Sequence, residues 1–296
     1  MQFKKAKREK LIGAIGMMGA SGSGKTLGSL MVAYGMVDRA FPDLTEAEKW
    51  EKIAYVDTEH ERSKVYVGMV FNGFRIGEFL HLDLQAPYTV DRYDEAARLA
   101  KEAGAYVVVF DSITHAWDGD GGLLDLQQSY GGTFQAWRQV NPAYKQFISI
   151  ITGEKYKIHT ISTMRLKQDY AVSTGDDGKL KVENLGLRPG QRDSLEYELQ
   201  VVFNIDMQHV ARPSKDNSGM FVVTGQVLDP SVGHKLVDWL DKGVDVAAQE
   251  RKELEDMVEY IRKVTGENGN PILTALLTDL EQKSNIVYYC TFADRP

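Results

Sequence analysis

The chain has 296 residues, 43% hydrophobic and 26% charged, the proportions of a globular protein with room for one large α/β domain and a small appendage. A formal net charge of −7 excludes a surface coated in basic residues for duplex DNA, although a local groove or loop can still be basic. Cys290 is the single cysteine, which excludes an intrachain disulfide and a multi-cysteine metal site and fits a reducing, cytoplasmic setting.

Lys4, Lys5, Lys7, Arg8 and Lys10 form the one dense basic cluster, which reads equally as a solvated tail or as a phosphate-binding arm. The apolar residues after it carry several glycines and run directly into a phosphate motif, so they read as part of the fold and not as a cleaved leader. No run approaches the roughly 18 apolar residues of a membrane span. Residues 11–18 read as a strand and 25–40 as a helix. Further strands are expected at 52–58, 78–84, 105–112 and 157–163, with helices at 90–104 and 141–153 between them. The run Tyr106-Val107-Val108-Val109-Phe110 is uninterruptedly apolar, as a strand buried on both faces should be. Strands alternating with helices imply a mostly parallel sheet with crossover helices.

Past residue 163 the texture changes. Residues 165–194 are polar, with a hairpin-like turn at Asp176-Asp177-Gly178. Residues 197–212 and 219–228 then read as late, antiparallel strands. From about Lys242 the chain reads as helical and charged (247–265), broken at 266–271 before a further helical run at 272–283. The expected organisation is a basic tail at 1–10, an ATPase core at 11–241 and a helical extension at 242–296.

Gly19-Ala20-Ser21-Gly22-Ser23-Gly24-Lys25-Thr26 fits G-x-x-x-x-G-K-[ST], the P-loop pattern. Glycines let backbone N–H groups wrap a β-phosphate, Lys25 supplies a point charge to the β/γ-phosphates, and the Thr26 hydroxyl ligates Mg²⁺. The helix that starts there points its positive end at the anion. ATP and Mg²⁺ are therefore the expected ligands. Asp111, at the end of an apolar strand, is the natural second carboxylate on the metal side, followed by Ser112. Asp57, Glu59 and His60 lie just past another strand, where a carboxylate can orient or deprotonate water.

In this order the motifs resemble the RecA-like branch of P-loop ATPases, which carries a catalytic Glu on the strand after the P-loop helix and a hydrophobic strand ending in Asp-Ser. By that resemblance Glu59 matches the catalytic Glu and Asp111 the Mg²⁺-side Asp. Residues 159–167 look like the strand that ends beside the γ-phosphate, with Thr163 at the position of the usual polar sensor, often Gln in that family. Arg165 and Lys167 follow. The stretch 168–190 reads either as a second DNA-binding loop or as an ordinary surface hairpin, with Arg165, Lys167, Lys179, Lys181 and Arg188 as the nucleic-acid candidates. Trp117 and Trp137 flank a Gly-rich stretch (118–134) near the first DNA-binding loop of such proteins, where aromatics can stack on bases, and core packing is the competing reading.

The segments Asp111–Gly122, Ser162–Lys167, Gly186–Asp206 and Ser214–Gly219 resemble the RecA-like "AAA family ATPases" of tailed phages and prophages, over about residues 10–230. Lys215 matches the basic residue that reaches into a neighbour's ATP site, although the family's usual Arg is missing from Ser214–Gly219. The resemblance implies a RecA-like α/β fold and an ATP-hydrolysing protein on single-stranded DNA in phage recombination, annealing or replication. It further implies self-assembly as ring or filament and a phage single-strand-binding protein as companion. The alternative is a P-loop switch ATPase, a loader or assembly factor acting on a protein partner without direct DNA binding.

Overall fold

The apolar run after the basic cluster forms β1 (Ala14–Gly19), and the helix expected after it is α1 (Lys25–Ala40). The computed structural model describes residues 3, 5–174, 180–192, 194–221, 223–245, 248–249, 251–252 and 254–257, and only the backbone of 167–174 and 180–189. The chain divides into two compact units. One is Ile12–Leu240, and the other joins Met1–Leu11 to Asp241–Pro296.

Within the larger unit, α2 (Glu46–Glu51) was not expected. Its start is set locally by a capping box, Thr45 and Glu48 satisfying each other's backbone N–H. Next come β2 (Ile53–Asp57), a small hairpin of β3 (Val70–Phe71) and β4 (Phe74–Arg75), and β5 (Leu80–Asp83). Helix α3 (Val90–Glu102) leads to β6 (Val107–Asp111), then to the short α4 (Thr114–Asp118) and α5 (Leu123–Ser129). Helix α6 (Trp137–Ile151) begins earlier than expected, with Pro142 inside it and not at its start.

Strand β7 (His159–Thr174) continues well past the apolar run that marked it and pairs antiparallel with β8 (Leu180–Pro189). Residues 197–212 are not one strand. They divide into α7 (Leu195–Glu198), β9 (Val201–Ile205) and the start of β10 (Val210–Asp216). His209, at φ 63°, makes the turn that separates β9 from β10. Of the strand expected at 219–228 only β11 (Gln226–Val227) forms, and it is followed by α8 (Pro230–Leu240), a helix the sequence reading did not anticipate.

The sheet order is β11-β10-β9-β1-β7-β6-β2-β5. From β9 to β5 neighbouring strands are parallel, and the β10 and β11 edge is antiparallel. The protein is thus α/β with a mostly parallel central sheet flanked by helices. Period-2 alternation sends the two faces of each strand to different cores. Ala14, Met18, Val56, Val108 and Phe110 join Tyr93 of α3 and Phe147 of α6 in one. Ile15, Met17, Tyr55, Val107 and Val109 join Leu30 of α1 and Leu236 of α8 in the other.

In the smaller unit the described residues show Glu9 bridged to Val244 in parallel, with Lys10 ion-paired to Asp241 and Asp245, each at 3.6 Å. The described residues between 248 and 257 are helical. The runs at 258–265 and 272–283 lie outside the described residues. No helix among the described residues is long and apolar enough to cross a membrane.

Candidate functional site

Parallel register brings the carboxyl ends of four strands to one edge, where open α/β sheets carry their ligands. Gly19 of β1 stands opposite Arg165 of β7, and Asp57 of β2 stands opposite Asp111 of β6. A cleft of about 790 Å³ opens there, lined by residues 21–28 together with Glu59, Asp111, Arg165 and His209.

The loop from Gly19 to Thr26 is shaped by its glycines. A Cβ on Gly19 would come within 2.3 Å of Ser23 Oγ, and Gly24 has φ 96°, where side chains are strained. Gly24 caps α1 without any side-chain hydrogen bond, and the first turn holds no acidic residue. The helix's free N–H groups and positive end therefore remain available to an anion. Lys25 Nζ donates to the carbonyls of Gly19 and Ala20, both at 2.9 Å. Burial pushes the Lys25 pKa down, against the pull of Asp111 and Glu59. The His209 ring buttresses the loop from β10's side, 2.9 Å from the Ser23 carbonyl.

Asp111 is buried and gathers hydroxyls. Thr26 and Tyr55 each donate to its Oδ2 at 2.7 Å, and Thr163 donates to Oδ1 at 2.5 Å. Burial raises the Asp111 pKa, and these three hydrogen bonds act against the rise. Among the described residues no three His, Cys, Asp or Glu side chains group as a metal cage. The Thr26–Asp111 pair instead suits a hard cation that keeps water and phosphate oxygens as its other ligands, as Mg²⁺ does. The Asp111–Ser112 peptide is cis. Ser112 N–H donates to Thr58 Oγ1 at 2.8 Å, and His115 Nδ1 lies 2.7 Å from the same oxygen.

Past β2 the chain turns sharply around Asp57. Its carboxylate accepts from the Glu59 N–H at 2.7 Å, the Ser63 N–H at 3.0 Å and the Ser63 hydroxyl at 2.6 Å. Burial pushes Asp57 up, but His81, Ser63 and the two backbone N–H groups outweigh it and hold the pKa at about 2. Asp57 is thus committed to holding the turn, and Glu59 is the carboxylate presented to the cleft. His60 is exposed and lies outside the cleft lining. Arg165 forms a bidentate ion pair with Glu59 through Nε and Nη2, and Arg62 stands 3.6 Å away.

The other sequence-predicted residues lie around or beyond the cleft, and Lys215, matched by resemblance to a neighbour's site, has no place in its own. Thr163 is fully buried against Asp111 and does not line the cleft. Arg165, grouped by sequence with the nucleic-acid candidates, lines it. Lys215 Nζ donates to the carbonyls of Glu196 (3.1 Å) and Tyr197 (2.5 Å) at the end of α7, away from this cleft. Lys167, Lys181 and Arg188 belong to the β7–β8 hairpin, Lys167 in register with Arg188 and Lys181 with Ser173. Lys179 lies outside the described residues. Trp117 and Trp137 stack on each other, centroids 5.4 Å apart, and Arg192 lies over Trp137, so packing accounts for both. The sequence reading missed Tyr55, His209 and an apolar wall of the cleft formed by Val65, Tyr66, Met69 and Phe71. It also passed over Tyr130 and Phe134, exposed on either side of Gly131-Gly132.

The arrangement can bind a polyphosphate at the loop, place a divalent cation between it and Asp111, and offer a carboxylate to a water molecule. The chain matches no protein-family model and no curated protein, so this geometry is what carries a functional reading.

Proposed function

We propose that the chain is an Mg²⁺-dependent ATPase with a RecA-like core that acts on single-stranded DNA in phage recombination, annealing or replication. The observation that carries the proposal is the contact between Thr26 and Asp111 in the cleft that Glu59 faces. The loop N–H groups and Lys25 would hold the β- and γ-phosphates. Thr26 and Asp111 would hold Mg²⁺, whose charge offsets that developing on the phosphates. The apolar wall around Tyr66 suits the flat face of a base. Glu59 orients a water molecule and accepts its proton.

The DNA side of the proposal draws on the β7–β8 hairpin, whose root at Arg165 lies in the cleft and whose strands carry Lys167, Lys181 and Arg188. Exposed Tyr130 and Phe134 offer faces for base stacking. Exposed Val65, Met69 and Val70 beside the cleft favour the second reading, a switch ATPase that works on a protein partner. The two readings part on one experiment, phosphate release from Mg·ATP with and without oligo-dT. Stimulation by the oligonucleotide supports the DNA reading. Hydrolysis indifferent to DNA, with no DNA bound at low salt, transfers support to the protein-partner reading.

A further inference from the structure

Glu59 is a weakened base while a guanidinium holds both of its oxygens, because the cation stabilises the carboxylate and takes part of its acceptor capacity. In the structure Arg165 engages both of them, Nε on Oε1 and Nη2 on Oε2. The guanidinium fork fits a carboxylate and a phosphate equally well, and it stays charged at any working pH. The two partners are unequally held. The Glu59 side chain is 11% exposed, and that of Arg165 is 40% exposed.

The backbone of Arg165 is anchored, and its side chain is held by Glu59 alone among the contacts described above. Its N–H donates to Thr114 Oγ1 at 3.0 Å, and its carbonyl accepts from the Gly190 N–H at 2.9 Å. A guanidinium released from Glu59 would therefore pivot about an anchored backbone. It lines the same cleft as Lys25 and the glycine-rich loop, within range to lower the Lys25 pKa electrostatically. A γ-phosphate brought to that loop carries more negative charge than one carboxylate and offers three acceptor oxygens. A diphosphate stops one phosphate short.

Building on the nucleotide reading, we propose that Arg165 is a positioning residue: a clamp that occupies Glu59 until the γ-phosphate of a nucleoside triphosphate takes its guanidinium. The exchange frees the carboxylate only when a hydrolysable bond is present. Because Arg165 stands where both strands of the β7–β8 hairpin meet the sheet, the same exchange reports the triphosphate to the hairpin's root.

The test is a binding cycle on the full chain. Wild type, Glu59→Gln, Arg165→Gln and the double variant are titrated by calorimetry with the Mg²⁺ complexes of ADP and of the β,γ-imido analogue of ATP. Thermal unfolding checks the fold of each. Glu59→Gln releases Arg165, so it should tighten the triphosphate analogue by about tenfold and leave ADP nearly unchanged. In the Arg165→Gln background that gain should vanish. Arg165→Lys, which keeps the charge without the fork, should restore part of it.

An equal gain in both backgrounds would overturn the clamp, because plain repulsion between Glu59 and the γ-phosphate would then explain it. Absence of any gain would overturn it as well. A folded wild type that binds neither nucleotide removes the nucleotide reading, and the clamp with it.

Discussion

Thr26 donates its hydroxyl to Asp111 at 2.7 Å across 85 residues of sequence. The contact joins the end of the glycine-rich loop to the end of β6. Three hydroxyls surround a carboxylate that burial makes reluctant to ionise.

The sign of that reluctance gives a first prediction. A folded pKa raised above the unfolded value favours the neutral form. The associated stability is fully present below the unfolded pKa and is lost as pH rises through the folded one. Asp111→Asn should therefore unfold at a higher temperature than wild type at pH 7 without nucleotide, by about 3 °C for each kcal/mol relieved. The difference should close as pH falls toward 4. The same variant should lose the stabilisation that Mg·ATP gives wild type. Thermal unfolding from pH 4 to 8 checks both, and an Asp111→Asn protein less stable at pH 7 would count against the first.

Asp57 runs the other way. Its folded pKa of about 2 lies below the ordinary carboxylate value, so its contribution is present above the unfolded pKa and is lost as pH falls through the folded one. Asp57→Asn should cost about 2 kcal/mol at neutral pH, and the deficit should shrink between pH 4 and pH 2. Urea midpoints across that range measure it. A deficit independent of pH would mean that the turn depends on shape and not on charge.

Glu59→Gln keeps the side chain's size and removes the proton acceptor. Hydrolysis should fall by about 10²–10⁴-fold, while triphosphate binding persists. Single-turnover phosphate release separates the two, and a rate near wild type would move the base elsewhere. Asp57 is a poor substitute, since three donors already occupy it.

Much of this site was legible because its parts are contiguous or adjoin a clear pattern. Gly19–Thr26 is a single stretch, and Asp111 closes a run too apolar to be anything but a buried strand. The order of Glu59 and Asp111 along the chain carried the rest. The Arg165–Glu59 pair was not legible, because nothing local marks which cation will meet a carboxylate 106 residues away. Tyr55 lay inside an expected strand with nothing local to mark it, and only the pairing of β2 with β6 brings its hydroxyl within reach of Asp111. Residues 197–212 read as one strand because their composition does not announce the turn at His209. Helix α8 was missed although Pro230 stands at its first position, a common start signal.

The hairpin supplies a prediction about DNA. Each lysine or arginine that neutralises a phosphate on a single strand contributes a slope of about −0.7 to the dependence of log K on log salt. Replacing Lys167, Lys181 and Arg188 together by Gln should flatten that slope by about 2 and leave basal ATP hydrolysis unchanged. Fluorescence anisotropy with labelled oligo-dT between 50 and about 200 mM salt reads it. An unchanged slope would place any DNA contact away from the hairpin.

In the proposed function the cleft holds the phosphates of ATP through Lys25, whose ammonium in the structure rests on the loop's own carbonyls. The most direct measurement is Mg²⁺-dependent phosphate release by the purified full chain, wild type beside Lys25→Ala, with thermal unfolding to show that both are folded. Wild type should turn over ATP with saturation, and lose activity when Mg²⁺ is chelated. Lys25→Ala should show no turnover above background and bind ATP at least about tenfold more weakly, as loss of a charge-assisted phosphate contact requires. Equal turnover by both proteins, or a folded wild type with no affinity for ATP, would contradict the account.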